Sequence, residues 1–193
     1  MNKKLILIAG IPASGKTRYG IHISEKLNLP FFSKDHFKEK LHDVLKWDNT
    51  VRGNSKHYGT AAYSVFYHAT ECLMKAGVSL VVESNFVPQC EEILNRYVTQ
   101  YGYLAMTVLF DAEITVLHKR FLERDETEER HPGLVSGGLI HDDFNLNKFE
   151  EGCKPMREFR VGEKITVDTT YFAELDYSAI DEMVEEFVTR VLN

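Results

Sequence analysis

Gly10-Ile11-Pro12-Ala13-Ser14-Gly15-Lys16-Thr17 is the stretch on which the reading of this chain turns. It fits G-x-x-x-x-G-K-[ST], the pattern of a glycine-rich loop that cradles phosphate oxygens. Its flanks supply the two supports the mechanism needs. Leu5-Ile6-Leu7-Ile8-Ala9 in front is a continuous apolar run, expected of a strand buried on both faces. Ile21, Ile23 and Leu27 behind it are apolar within a helix-forming stretch. The glycines let the backbone close around the oxygens and direct successive N–H groups into one anion-binding concavity. The helix N-terminus adds its positive dipole end. Lys16 then reaches the β- and γ-phosphates, and the Thr17 hydroxyl is a ligand for Mg²⁺. A nucleoside triphosphate site is predicted over residues 10–17.

The bulk of the sequence agrees with an ordinary globular protein. Its 193 residues suit one domain, and 44% apolar with 27% charged residues leaves no case for disorder. A net charge of −6 argues mildly against a protein whose main work is coating nucleic acid. Cys72, Cys90 and Cys153 are scattered and odd in number, with no C-x-x-C pair. They read as free thiols of a reducing compartment, so a cytoplasmic location is expected. The N-terminal apolar run leads straight into the glycine loop and reads as structure, not as a targeting segment. No run approaches the roughly 18 consecutive apolar residues of a membrane span.

Further along, residues 29–33 read as a second short strand with Asp35 just beyond it. Phe37, Leu41, Val44 and Leu45 then recur at helical spacing. Residues 47–58 read as a polar loop. Ala61 through Ala76 carries an apolar helical face ended by Gly77. Val78-Ser79-Leu80-Val81-Val82 is the next strand and delivers Glu83 at its end; a helix follows from about Pro88. Residues 103–110 make a fourth strand, and Ile114, Val116, Leu117 and Phe121 a helix. The pattern weakens from residue 123 to 163, where a mobile lid is expected. Ile165-Thr166-Val167 is a fifth strand, and a C-terminal amphipathic helix runs through Val191, with Ser178 to cap it.

Apolar strands alternating with helices imply a parallel sheet covered on both faces, with ligands outside the carboxyl ends of its strands. That rule selects the glycine loop, Asp35, Glu83-Ser84-Asn85, Asp111 and Asp168-Thr169-Thr170. A carboxylate at Asp35 is placed to accept the proton of an attacking hydroxyl; a helix cap from Ser33 or Asp35 is the plainer alternative. Glu83 stands where an acid binds Mg²⁺, directly or through water. Ser84 follows it where a motor-type ATPase has a second acid, which favours transfer to a substrate over hydrolysis. Arg120 and Arg124 are one helical turn apart, and Arg130 follows; guanidinium groups suit a transferring phosphoryl group. Glu123, Glu126, Glu128 and Glu129 are alternative partners for them. His131, His141, Asp142 and Asp143 fit no zinc template. Tyr63 and Tyr67 read as packing.

Taken together, Gly-x-Pro-x-Ser-Gly-Lys-Thr, Ser-Lys-Asp-x-x-Lys, Val-Glu-Ser-Asn-Phe, Arg-Phe-x-x-Arg with Arg-His-Pro-Gly, and Val-Asp-Thr-Thr resemble the small P-loop kinases. The resemblance is to the polynucleotide-kinase, zeta-toxin and chloramphenicol-phosphotransferase-like group, and it covers residues 3–170. It implies an α/β three-layer P-loop fold of the kinase type, with a five-stranded parallel sheet and a helical lid. It also implies Asp35 as general base, Arg120 near the adenine, and Arg124 or Arg130 at the transferring phosphate. Asp168-Thr169-Thr170 would lie near the base. Glu83 departs from the group's usual Asp.

The expectation is therefore one domain over residues 1–193, with a lid at about 120–135 and an acceptor-side insertion at about 36–76. It would use ATP and Mg²⁺ to phosphorylate a hydroxyl of a small molecule. A nucleotide-driven ATPase or switch, and a 5'-hydroxyl nucleic-acid end kinase using Arg52, Lys56, Lys154, Arg157 and Arg160, are the other readings.

Overall fold

The computed structural model describes residues 3–135 and 145–190. Five parallel strands form one sheet: β1 (Lys3–Gly10), β2 (Phe31–Ser33), β3 (Leu80–Glu83), β4 (Tyr103–Asp111) and β5 (Glu163–Asp168), in the order β2-β3-β1-β4-β5. The helices are α1 (Lys16–Leu27), α2 (Lys34–Leu45), α3 (Asn54–Lys75), α4 (Glu91–Tyr101), α5 (Ile114–Asp125), α6 (Leu146–Glu158) and α7 (Ser178–Thr189). Short 3₁₀ turns occupy Pro88–Cys90, Pro132–Leu134 and Phe172–Glu174.

β1 is buried on both sides because its apolar residues alternate between two cores, as strand geometry dictates. Leu5, Leu7 and Ala9 join Phe66, Phe86, Leu94 and Phe159 beneath α3, α4 and the end of α6. Ile6 and Ile8 join Tyr19, Ile23, Val184 and Phe187 beneath α1 and α7. A third, smaller cluster of Ile11, Leu117, Phe121, Phe149 and Cys153 lies where α5 and α6 meet beside the glycine loop. The sheet is thus three-layered, and the carboxyl ends of its strands all open on one side.

Several expectations on elements shift. Asn54 to Tyr58, read as loop, already belong to α3, which starts after Gly53 in the left-handed region (φ 95°). Residues 146–158, read as part of an irregular segment, are helical despite Pro155; Asn145 caps them by accepting from the Lys148 N–H at 3.0 Å. Only Phe149 and Cys153 of that helix are buried, so its apolar signal is thin. Ser178 does not cap α7. The N-cap position is Tyr177, with no side-chain cap, and Asp176 just before it accepts from both the N–H and the hydroxyl of Ser178 at 2.9 and 2.8 Å. The three cysteines are free thiols. No described helix is long and apolar enough to cross a membrane. His141, Asp142, Asp143 and Val191 lie outside the described residues.

Candidate active site

The glycine loop turns directly off the end of β1. Gly10 has φ 131°, and a Cβ there would sit 2.0 Å from the carbonyl oxygen of Phe110, so only glycine lets the loop leave β1 this close to β4. Gly15, at φ 89°, precedes the first turn of α1; a Cβ on it would meet the Phe172 ring at 2.3 Å. Ala13 also takes the left-handed region, at φ 65°. Inside the loop, the Ser14 hydroxyl and the Lys16 ammonium both donate to the Ile11 carbonyl, at 2.8 and 2.7 Å. Ile11 and Ser14 are wholly buried and hold the loop's shape from behind. Burial lowers the Lys16 ammonium to about 8, with Glu83 and Asp35 opposing the fall.

Glu83 ends β3 with its carboxylate nearly inaccessible. Its Oε2 accepts from Ser33 Oγ at 2.6 Å and lies 3.4 Å from Thr17 Oγ1. Burial raises this carboxyl, and the Lys16 charge works against that rise. Ser33 has a second duty: its Oγ accepts from the Asp35 N–H at 3.2 Å and so caps α2. The cap is Ser33, and the Asp35 carboxyl is left to pair with Lys34 Nζ in the mouth of the site. Burial alone would raise Asp35, but the charge and hydrogen bond of Lys34, then the charge of Lys16, outweigh it and hold the carboxyl below its ordinary range.

Pro12, Ala13, Gly15, Lys16, Thr17, Asp35, Glu83, Arg124 and Arg130 all line one cavity of about 330 Å³. An adjoining cleft of about 480 Å³ adds Arg120. Among the described residues, Arg124 and Arg130 are not paired with the glutamates that were the alternative to a phosphate role. Both approach Oδ1 of Asp125, at 3.5 and 3.0 Å, and that carboxylate is wholly buried. Arg120 donates to the carbonyls of Thr169 and Thr170 at 2.8 and 2.9 Å and lies over the Phe172 ring. Thr169 itself is buried, its N–H and hydroxyl both donated to the Asp111 carbonyl, and it meets the cleft through Arg120. Asp111 is taken up by Arg157, at 2.7 and 3.0 Å. His131 accepts the Gly133 N–H on Nδ1, so its other nitrogen carries the proton donated to Asp43 at 3.1 Å; this pins the Pro132–Leu134 turn to α2.

Lys34 and Lys38 stand in the Ser-Lys-Asp-x-x-Lys motif but carry no role in the sequence reading, which misses Asp125 and Phe149 as parts of this site. Asp125 had a faint signal, an Asp directly after Arg124. Phe149 belongs to the helix hidden by Pro155.

An all-parallel sheet with β1 at its centre, a phosphate-type loop at its end and a buried acid ending the neighbouring strand together define the class: a small P-loop protein of the kinase type. The family model described as zeta toxin matches residues 1–178, and the chain belongs to that family. A candidate kinase from Chloroflexus aurantiacus J-10-fl is similar at 31% identity and a TM-score of 0.83, over 96% of this chain and 98% of that one. A sugar kinase from Janibacter sp. HTCC2649 shares the fold at 13% identity and a TM-score of 0.59, over 97% and 95% of the two chains. The Mycobacterium tuberculosis APS kinase, solved with AMPPNP and APS, shares it at 16% identity and a TM-score of 0.56, over 98% of each. No curated protein sequence gave a significant match.

Proposed function

We propose that this protein is an ATP- and Mg²⁺-dependent phosphotransferase that moves a γ-phosphate to the hydroxyl of a small-molecule acceptor. The reading rests above all on Lys16 and an ionised Asp35 lining the same cavity. The residues fit the two groups the reaction needs. The left-handed Ala13 and Gly15 and the start of α1 suit a triphosphate, and the paired oxygens of Thr17 and Glu83 suit a hard divalent cation. ATP with Mg²⁺ supplies the phosphoryl group and neutralises the charge that gathers on it.

This chain's own part is positioning and proton handling. Lys16 binds the outer phosphates. Arg124 and Arg130, braced by Asp125, face the equatorial oxygens of the group in transfer. Arg120 stands by the nucleobase. Asp35 accepts the acceptor's hydroxyl proton, and a low-lying carboxylate remains ready for it across the physiological range. The segment around residues 120–135 acts as a lid that excludes water, and residues 36–76 form the acceptor side. A cytoplasmic location fits three free thiols.

Hydrolysis without an acceptor is disfavoured because Ser84, after Glu83, offers no carboxylate, and its hydroxyl is bonded to Tyr63 at 2.7 Å. A nucleic-acid end kinase is disfavoured because Arg157, one of its few basic candidates, is bound to Asp111. The test is a screen of hydroxyl compounds for ATP-dependent phosphorylation, run with wild type and Asp35→Asn. Transfer should fall by about 10²–10⁴-fold in the variant. Equal rates on a confirmed acceptor would reduce Asp35 to a neighbour of the Ser33 cap.

A further inference from the structure

Among the described residues, the charged side chains lining the cavity are Lys16, Lys34, Lys38, Arg124, Arg130 and Lys148, with Asp35 and Glu83. Lys34 pairs with Asp35, Glu83 belongs with Thr17 and Ser33, and Lys16 and the two arginines have been assigned to the phosphates. Lys38 is different. It is only 7% exposed, and among the described residues its one hydrogen bond goes to the Ser55 hydroxyl at 2.8 Å, with no carboxylate in ion-pair contact. An ammonium group has three donors, so a single neutral acceptor leaves it under-partnered in a buried place. Burial and the nearby Lys34 charge lower it to about 8.

Lys38 sits on α2, three residues after Asp35 and on the same face, roughly 5–6 Å away between Cβ atoms. Ser55, from the first turn of α3, completes the wall opposite the glycine loop. One compact molecule can therefore present a hydroxyl to Asp35 and a second group to Lys38.

We propose that the acceptor is a small hydroxyl compound bearing its own anionic group, a carboxylate or a phosphate, and that Lys38 with Ser55 receives that group. The proposal rests on the phosphotransferase reading above and adds the chemical class of the acceptor. Lys38 is a specificity-determining residue; the bonds made and broken remain those of the transfer already described.

The experiment follows ATP-dependent phosphorylation of matched probes by ³¹P NMR: glycerate and gluconate, glycerol 3-phosphate, and the neutral glycerol and glucitol. Wild type should favour charged over neutral members by about 10–10²-fold in kcat/KM, the usual range for a hydrogen bond to a charged group. The carboxylate and phosphate arms tell which anion is taken. In Lys38→Met, which keeps the apolar stem, the preference should collapse through KM for the charged probes. Should that variant not fold, Ser55→Ala removes only the partner of the ammonium and should narrow the preference severalfold. Neutral probes phosphorylated as well as charged ones, or a preference unmoved in the folded variants, overturns the inference and leaves the kinase reading standing. No product from any probe, in a protein that binds ATP, overturns the kinase reading and the inference with it.

Discussion

Arg130 and Asp125 form an ion pair at 3.0 Å in which the carboxylate has no exposed surface at all. Arg124 leans on the same oxygen, so one acid fixes two guanidinium groups at the rim of the cavity. Asp125→Ala removes the brace and leaves two positive charges facing each other. Breaking a buried pair costs about 3–5 kcal/mol, and the cost here should fall below that because Arg124 is about a third exposed (36%). Urea unfolding should show that loss, and kcat should drop more than ATP affinity does. Wild-type kcat in a folded Asp125→Ala protein would detach these arginines from the chemistry.

A second expectation concerns pH. Against the upward push of burial, Lys34 is the strongest influence holding the Asp35 carboxyl below its ordinary range; without it, only the charges of Lys16 and Arg130 oppose burial. In Lys34→Met the carboxyl should therefore titrate higher, and a protonated Asp35 cannot take a proton. The acid limb of the kcat/KM profile should move to higher pH, so the variant loses more activity than wild type between pH 7 and pH 5. An acid limb that stays where it was would mean that Asp35 is not the group being titrated.

The proposed lid can be probed with trypsin, since Lys119, Arg120, Arg124 and Arg130 are all cleavage sites. Phosphate oxygens bound by Arg124 and Arg130 should order the segment, and ATP with Mg²⁺ should slow cutting between residues 119 and 131. Mass spectrometry of the fragments reads the result directly. The same cutting rates with and without nucleotide would argue for a segment that does not respond to the ligand.

Far from the site, Lys4 is a fully buried lysine that donates to the carbonyls of Phe187, in the last turn of α7, and of Arg190, its C-cap, at 2.6 and 2.8 Å. It closes a helix C-terminus from another element. Lys4→Met should cost about 1–3 kcal/mol, the range for stranding a buried carbonyl. Urea unfolding should find that loss while kcat per folded molecule stays at the wild-type value.

Much of this protein can be read from one dimension, and what cannot be read has a common cause. The loop, the strands and the positions of Asp35 and Glu83 are carried by local pattern: apolar runs, glycine spacing and the residue after each strand. α6 is hidden because Pro155 and a charged surface outweigh two buried residues in any local pattern. The partners are not local at all. Ser33 meets Glu83 across fifty positions, and Arg157 meets Asp111 across forty-six. Lys38 gives no sign in the sequence that it is buried, because its neighbours Phe37 and Leu41 define the apolar face; only the packing of α3 against α2 encloses it. Side-chain chemistry was legible, whereas charge balance inside the cavity needed the fold.

The strand order has a consequence for how the molecule is made. β1 is synthesised before both of the strands it pairs with, yet it lies at the centre of the sheet, with Leu5 flanked by Leu80 on one side and Ala105 on the other. Every one of its ladder hydrogen bonds waits for chain that has not yet been synthesised. At about 5–20 residues per second the gap lasts several seconds, and throughout it a strand as apolar as Leu5-Ile6-Leu7-Ile8 has both edges bare. The two ladders of β1 close over separations of 75 and 100 residues, Leu5 to Leu80 and Leu5 to Ala105, which favours slow assembly of the sheet that carries the glycine loop.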